Sequence, residues 1–150
     1  MKTVCMTRVA LLVMLLASAA TVARAEEDER AVNYVFQSID KFVDHDYDGA
    51  IADCTKAIEI DPQYAAAYAN RAMSEHEKHD YDAAIADDTR AIELNPQDSV
   101  NYGARAFTES AKGDDVSAIA DWKKEIELDP SHTSTTQPFI DQAQARLNQR

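Results

Sequence analysis

Two residue patterns in this chain, and the cysteine at position 54, are of the types that do chemistry. Asp44-His45-Asp46-Tyr47-Asp48-Gly49 reads D-x-D-x-D-G, the opening of a calcium loop. A full loop also needs a bidentate carboxylate at its twelfth position, where Thr55 stands. The matching stretch in residues 78–83 lacks both the first acid and the glycine. A turn between helices is therefore expected there, and no calcium. His45 and His79 occupy the same place in two copies of a recurring phrase, with His76 nearby. No Cys/His ligand spacing accompanies them, so solvated turn residues are expected and no metal. Cys54 lies among Ala50, Ile51, Ala57 and Ile58 at helical spacing, where a small buried side chain is wanted. No nucleophile–base–orienter set and no paired catalytic carboxylates can be picked out. Three glycines in the whole chain make a phosphate-cradling loop improbable. The reading is a non-enzymatic protein with no cofactor.

The N-terminus carries a different kind of signal. Lys2 and Arg8 precede an apolar run from Val9 to Ala17, and Ala23-Arg24-Ala25 is a small-x-small cleavage site before the charged EEDER. That is the layout of a secretory signal peptide, too short in its apolar part for a membrane span. Residues 1–25 are read as that peptide, with cleavage after Ala25 and a periplasmic or secreted destination in a bacterium. Any membrane contact would run through this segment, were it left uncleaved. Cys5 precedes the apolar run and is misplaced for lipid modification; Cys54 is then the one cysteine of the mature chain and cannot form an internal disulfide. The full chain carries a formal charge of −12. The leader contributes Lys2, Arg8 and Arg24 and no acidic side chain, so export leaves a still more acidic protein. Such a field repels nucleic acid and anionic lipid and favours a basic or apolar partner.

The elements that position these residues repeat. HDYDGAIADCTKAIEIDP at 45–62, HDYDAAIADDTRAIELNP at 79–96 and GDDVSAIADWKKEIELDP at 113–130 are evenly spaced, and the first two share 13 of 18 positions. A fixed period of about 34 residues marks a repeat architecture. Each phrase is an amphipathic helix, opened by Asp46, Asp80 or Asp114 as N-cap and ended by Pro62, Pro96 or Pro130. A second helix, marked by Tyr34, Tyr68 or Tyr102, precedes each one. The units are 31–64, 65–98 and 99–132, after an acidic tail at 26–30 expected to fray. Residues 133–150 are read as a cap, its helix spanning 137–148 with Pro138 in the first turn.

This pattern resembles the tetratricopeptide repeat family over residues 31–130. The small positions are Ser38, Ala72, Ala106 and Ala50, Ala84, Ala118; the apolar one is Cys54, Asp88, Trp122; the second alanine is Ala57, Ala91, Glu125. Asp88 and Glu125 depart from the family pattern, which predicts later repeat interfaces that are looser or locally rearranged. The resemblance implies an all-α solenoid of three helix-turn-helix repeats plus a C-terminal cap. It also implies a concave groove lined by first helices, which bind a protein or peptide partner with apolar anchors. The groove residues so implied are Val32, Val35, Phe36, Ile39, Phe42, Asn70, Met73, His76 and Phe107. Chaperone-binding members grip a terminal carboxylate with Lys and Asn, then Asn, then Lys and Arg. The corresponding positions are Val35, Ile39, Asn70, Val100 and Ala104, of which only Asn70 matches, and that mode is excluded. The alternative is a structural subunit or self-associating homo-oligomer of an envelope assembly, with the groove filled by a second copy or by the chain's own ends.

Overall fold

A computed structural model describes residues 24–149. Helix α1 runs from residue 24 to 43. It is followed by α2 (Tyr47–Ile60), α3 (Ala65–Glu77), α4 (Tyr81–Leu94), α5 (Ser99–Lys112), α6 (Asp115–Leu128), a 3-10 turn at Pro130–His132 and α7 (Thr133–Asn148). No strand occurs among the described residues. Each helix packs chiefly on its sequence neighbours, so the chain stacks as an α-solenoid of helical pairs. Among the described helices none is long and apolar enough to cross a membrane. The proposed leader, residues 1–23 in particular, lies outside the described residues.

The repeat phrase works as packing. Ser38, Ala72, Ala106, Ala50, Ala84, Ala118, Cys54, Ala57 and Ala91 are all buried. Small side chains at these contacts let the helix axes approach closely, and burial pushes the Cys54 thiol up from its ordinary value. The helices α2, α4 and α6 stop just before the residue that precedes each proline. Asp61, Asn95 and Asp129 leave the helical region with ψ of 96°, 80° and 95°, as a following proline requires. At the turn inside each repeat, His45, His79 and Gly113 adopt left-handed φ of 61°, 63° and 94°. Glycine takes this conformation at little cost, and histidine is among the side chains enriched in it. The two histidines each set Nδ1 near a nearby tyrosine hydroxyl, at 2.9 Å for Tyr47 and 3.0 Å for Tyr81. Asp46 caps α2 by accepting from Gly49 N at 3.0 Å, and a Cβ on Gly49 would collide with the Asp46 carboxylate. The D-x-D-x-D-G stretch is thus a turn and a cap, and the Thr55 hydroxyl donates to Ile51 O.

Four expectations are corrected. Asp80 occupies the N-cap position of α4, but its side chain accepts no capping bond. Residues 26–30 are not frayed; they continue α1 as exposed helix. The last helix begins at Thr133, ahead of position 137, and encloses Pro138 in its interior. Ala65, Ser99 and Thr133 open α3, α5 and α7 at the same repeat interval, so α7 is the first helix of a fourth unit. Its stacking on α6 overrides the preference of Pro138 for a first turn. Finally, Val35 is not a groove residue. It is 5% exposed, in a core with Ala31, Ala57 and Ala67, because positions 31, 35 and 38 form the i, i+4, i+7 stripe that α1 turns inward.

The two departures are accommodated rather than loose. Glu125 is buried, and its carboxylate meets His132 Nδ1 at 2.8 Å and the Thr136 hydroxyl at 3.2 Å. Gly103 makes the room: a Cβ there would sit 2.9 Å from the Glu125 carboxylate. Asp88 is described with the site below.

Candidate functional site

The first helices of the repeats carry exposed apolar side chains on one face. Phe42 of α1, Ala72, Met73, His76 and Glu77 of α3, Asp88 of α4, and Ala104, Phe107 and Thr108 of α5 line a recess of about 190 Å³. Met73 is 46% exposed and Phe107 45%, which for large apolar groups on one concavity marks a surface built for contact. Of the expected groove residues, Phe42, Met73, His76 and Phe107 therefore meet in one place. Phe36 and Ile39 are exposed on α1 and do not line it; Val32 is half-buried. Asn70 is half-buried, and its amide donates to Ala66 O at 2.8 Å.

The recess ends where α7 begins. His76 and Phe107 continue into a second hollow with Trp122, Phe139 and Arg146. Phe139 packs against Phe107 with ring centroids 4.7 Å apart and stacks on Trp122 at 5.7 Å. The cap thus closes the C-terminal end of the groove and leaves the Phe42–Phe107 part open.

Beneath this face runs a charged layer with the same period. Arg71 donates to both Asp87 oxygens at 2.5 and 2.9 Å and reaches Thr55 of the preceding repeat at 3.2 Å. Arg105 does the same with Asp121 at 2.6 and 3.0 Å and Thr89 at 3.0 Å. These bidentate forks tie the two helices of a repeat and the seam before it. The first repeat has Gln37 at the arginine's place, and Lys41 and Lys56 hold its Asp53 instead. Burial is the largest influence on Asp53 and acts upward, yet the two lysines together hold it below the usual carboxylate range.

Three carboxyls go the other way. Glu75 and Glu109 are each pushed up to about 7, by burial first and then by Asp87 and Asp121 respectively. Asp88, on the wall of the recess, is 2% exposed, and its Oδ1 has no hydrogen-bond partner. Burial pushes its carboxyl up to about 8; Arg105 opposes this, while Asp87, Glu75 and Asp121 add to it. The Thr108 hydroxyl donates to Ala104 O at 3.2 Å, and its oxygen lies 3.0 Å from His76 Nδ1. Ala72, Asp88 and Thr108 were not anticipated as groove residues; the acid at position 88 among apolar counterparts was the available signal. No group of three His, Cys, Asp or Glu among the described residues is placed to hold a metal ion.

Residues 54–86 match the sequence model of the tetratricopeptide repeat. The stacking of helical pairs on one constant period decides the rest. The fold is a tetratricopeptide-repeat solenoid. Among solved structures the chain is similar to the first such domain of human RPAP3, at 26% identity and a TM-score of 0.75, over 79% of this chain and 95% of that one. It is also similar to the first repeat domain of Spaghetti (RPAP3) bound to an HSP90 peptide, at 22% identity and a TM-score of 0.77, covering 81% and 95% of the two chains. The TPR2B domain of yeast Sti1 in complex with an Hsp70 peptide matches at 23% identity and a TM-score of 0.76, covering 79% and 98%. No curated protein matches the chain.

Proposed function

We propose that this protein is a non-enzymatic interaction module that takes apolar anchors of a partner's peptide or helix into its concave recess. The observation that carries the reading is the convergence of Phe42, Met73 and Phe107, from three successive first helices, on one open hollow. An amphipathic helix or extended peptide laid across the groove offers anchors at matching intervals. The similar domains of Spaghetti and Sti1 hold peptides of HSP90 and Hsp70. This chain puts a buried Val35, an exposed Ile39 and Val100, and Ala104 where a carboxylate clamp needs Lys, Asn and Arg, so its ligand has different chemistry. Selection from a displayed peptide library tests the reading. Met73→Asp should weaken selected peptides at least about tenfold, while Phe36→Asp, outside the recess, should leave them unchanged. Equal binding by a folded Met73→Asp protein would sink the proposal.

A second reading has its own observation. Phe36 and Val43 are 63% and 69% exposed on α1, and with Ile39 they form an i, i+3, i+7 stripe on the first helix of the stack. Self-association or docking in an envelope assembly through this stripe predicts a dimer in sedimentation that Phe36→Asp dissolves. Export rests on residues 1–25 alone. N-terminal sequencing of the secreted or periplasmic product should begin at Glu26, and retention of Met1 in the mature protein overturns it.

A further inference from the structure

We infer that the recess is built for a cationic side chain, a lysine or arginine of the partner, whose alkyl stem lies between Phe42, Met73 and Phe107 and whose charged head reaches Asp88. The inference rests on the groove reading above and specifies the chemistry of its anchor. Donor and acceptor bookkeeping carries it. The residues with polar side chains that line the hollow are His76, Glu77, Asp88 and Thr108. The Thr108 hydroxyl proton is spent on Ala104 O, and the Thr108 oxygen lies 3.0 Å from His76 Nδ1, so neither is free to serve the hollow. Asp88 Oδ1 is buried with no partner, and Glu77 offers a carboxylate at the rim. A site that presents acceptors, with apolar walls, is complementary to a donor-rich head on an apolar stem. Lysine and arginine are the side chains of that description. The chain's formal charge of −12 points the same way, since the surrounding field draws cations inward.

Burial of an acid without a partner is costly, and the other two repeats put Cys54 and Trp122 at this position. A ligand's ammonium or guanidinium adds a counter-charge beyond that of Arg105, and Asp88 then ionises and gives its proton to solvent. Glu75, His76, Glu77, Asp87, Arg105 and Asp121 are the charged or titratable groups around Asp88, so the release is measured against variants at position 88.

The test uses n-butylammonium and the neutral n-pentanol as probes of the full mature chain, followed by amide chemical shifts of Met73, His76, Phe107 and Thr108. The wild-type protein should bind the ammonium at least about tenfold more tightly than the alcohol at pH 7, with proton release seen as buffer-dependent heat. Asp88→Asn and Asp88→Leu should lose that preference and the proton release while still binding the alcohol. Equal preference in the folded Asp88→Leu protein, a wild-type preference for the alcohol, or no response to the ammonium overturns the inference. Peptide selection as described above succeeds or fails independently of these probes, which separates this inference from the groove reading.

Discussion

At the scale of single residues, the informative positions are those where the repeat is broken. Asp88, Glu75 and Glu109 all sit above their unfolded values, at about 8, about 7 and about 7. The folded chain therefore holds more protons than the unfolded one, and their contribution is complete below the ordinary carboxylate range and lost as pH rises through about 7 to 8. Asp53 acts oppositely: its contribution is present above that range and lost on acidification. Thermal melts followed by circular dichroism should show the highest Tm near pH 5 and a falling Tm toward pH 9. Asp88→Leu should raise stability at pH 8 by about 1–3 kcal/mol, the cost of a buried unpaired polar group, and flatten the profile above pH 6. A Tm indifferent to pH between 5 and 9 would contradict this account. Position 88 was visible in the sequence as a departure, but only the structure shows that the acid faces a hollow rather than loosening a seam.

At the scale of elements, helices are joined by charge as well as by alanine. Arg71 satisfies Asp87 and Thr55 together, so Arg71→Ala leaves a buried carboxylate without its partner. A loss of about 3–5 kcal/mol in urea unfolding is expected, against little change for the exposed Lys78→Ala, whose partner is the exposed Asp48. Gly103 and Glu125 form a second pair, remote in sequence and fitted in space. Gly103→Ala should cost about 1–3 kcal/mol through crowding, and most of that penalty should vanish in the background of Glu125→Ala. Full additivity of the two changes in a double-mutant cycle would show that they do not touch. The helices themselves were largely legible. Prolines and the constant repeat interval locate α2 through α6, because these signals act within a short stretch of chain. The start of α7 was misread because Pro138 is a strong local cue, whereas Thr133 follows from stacking on α6. The same period was written in the evenly spaced Lys78, Lys112 and Arg146, the last of which donates to Asp115 at 3.1 Å. Val35 was misplaced for a similar reason. Which stripe of α1 turns inward depends on where α2 and α3 lie, and no local pattern states that.

At the scale of the whole molecule, the solenoid has two unlike ends. Among the described residues, the N-terminal helix leaves Phe36, Ile39 and Val43 exposed. The C-terminal end is sealed by α7, whose Phe139, Ile140 and Ala143 cover the last repeat and whose Thr136 reaches the Glu125 carboxylate. Trp122 is the single tryptophan of the chain and is 2% exposed beneath this seal, so its fluorescence reports the state of the cap. A chain ended after Leu128 should show red-shifted emission, a Tm lower by about 10 °C or more, and binding of an apolar dye. Unshifted emission from the shortened chain would mean that α7 covers nothing that matters. The concave recess lies between these ends, and its chemistry came from side chains that helices bring together from Phe42 to Thr108 along the sequence. That is why the fold could be read in advance and the shape of the site could not.

The seal also sets a clock. Synthesis runs from N-terminus to C-terminus, so the α7-side groups that quiet the third repeat, from His132 to Arg146, emerge after it. Until then Glu125 lacks its donors and Trp122 is a bare ring, so the nascent stack is soft at its growing edge. Docking of α7 is then a late step that firms the third repeat, and a chain arrested just short of it is left with that edge pliable.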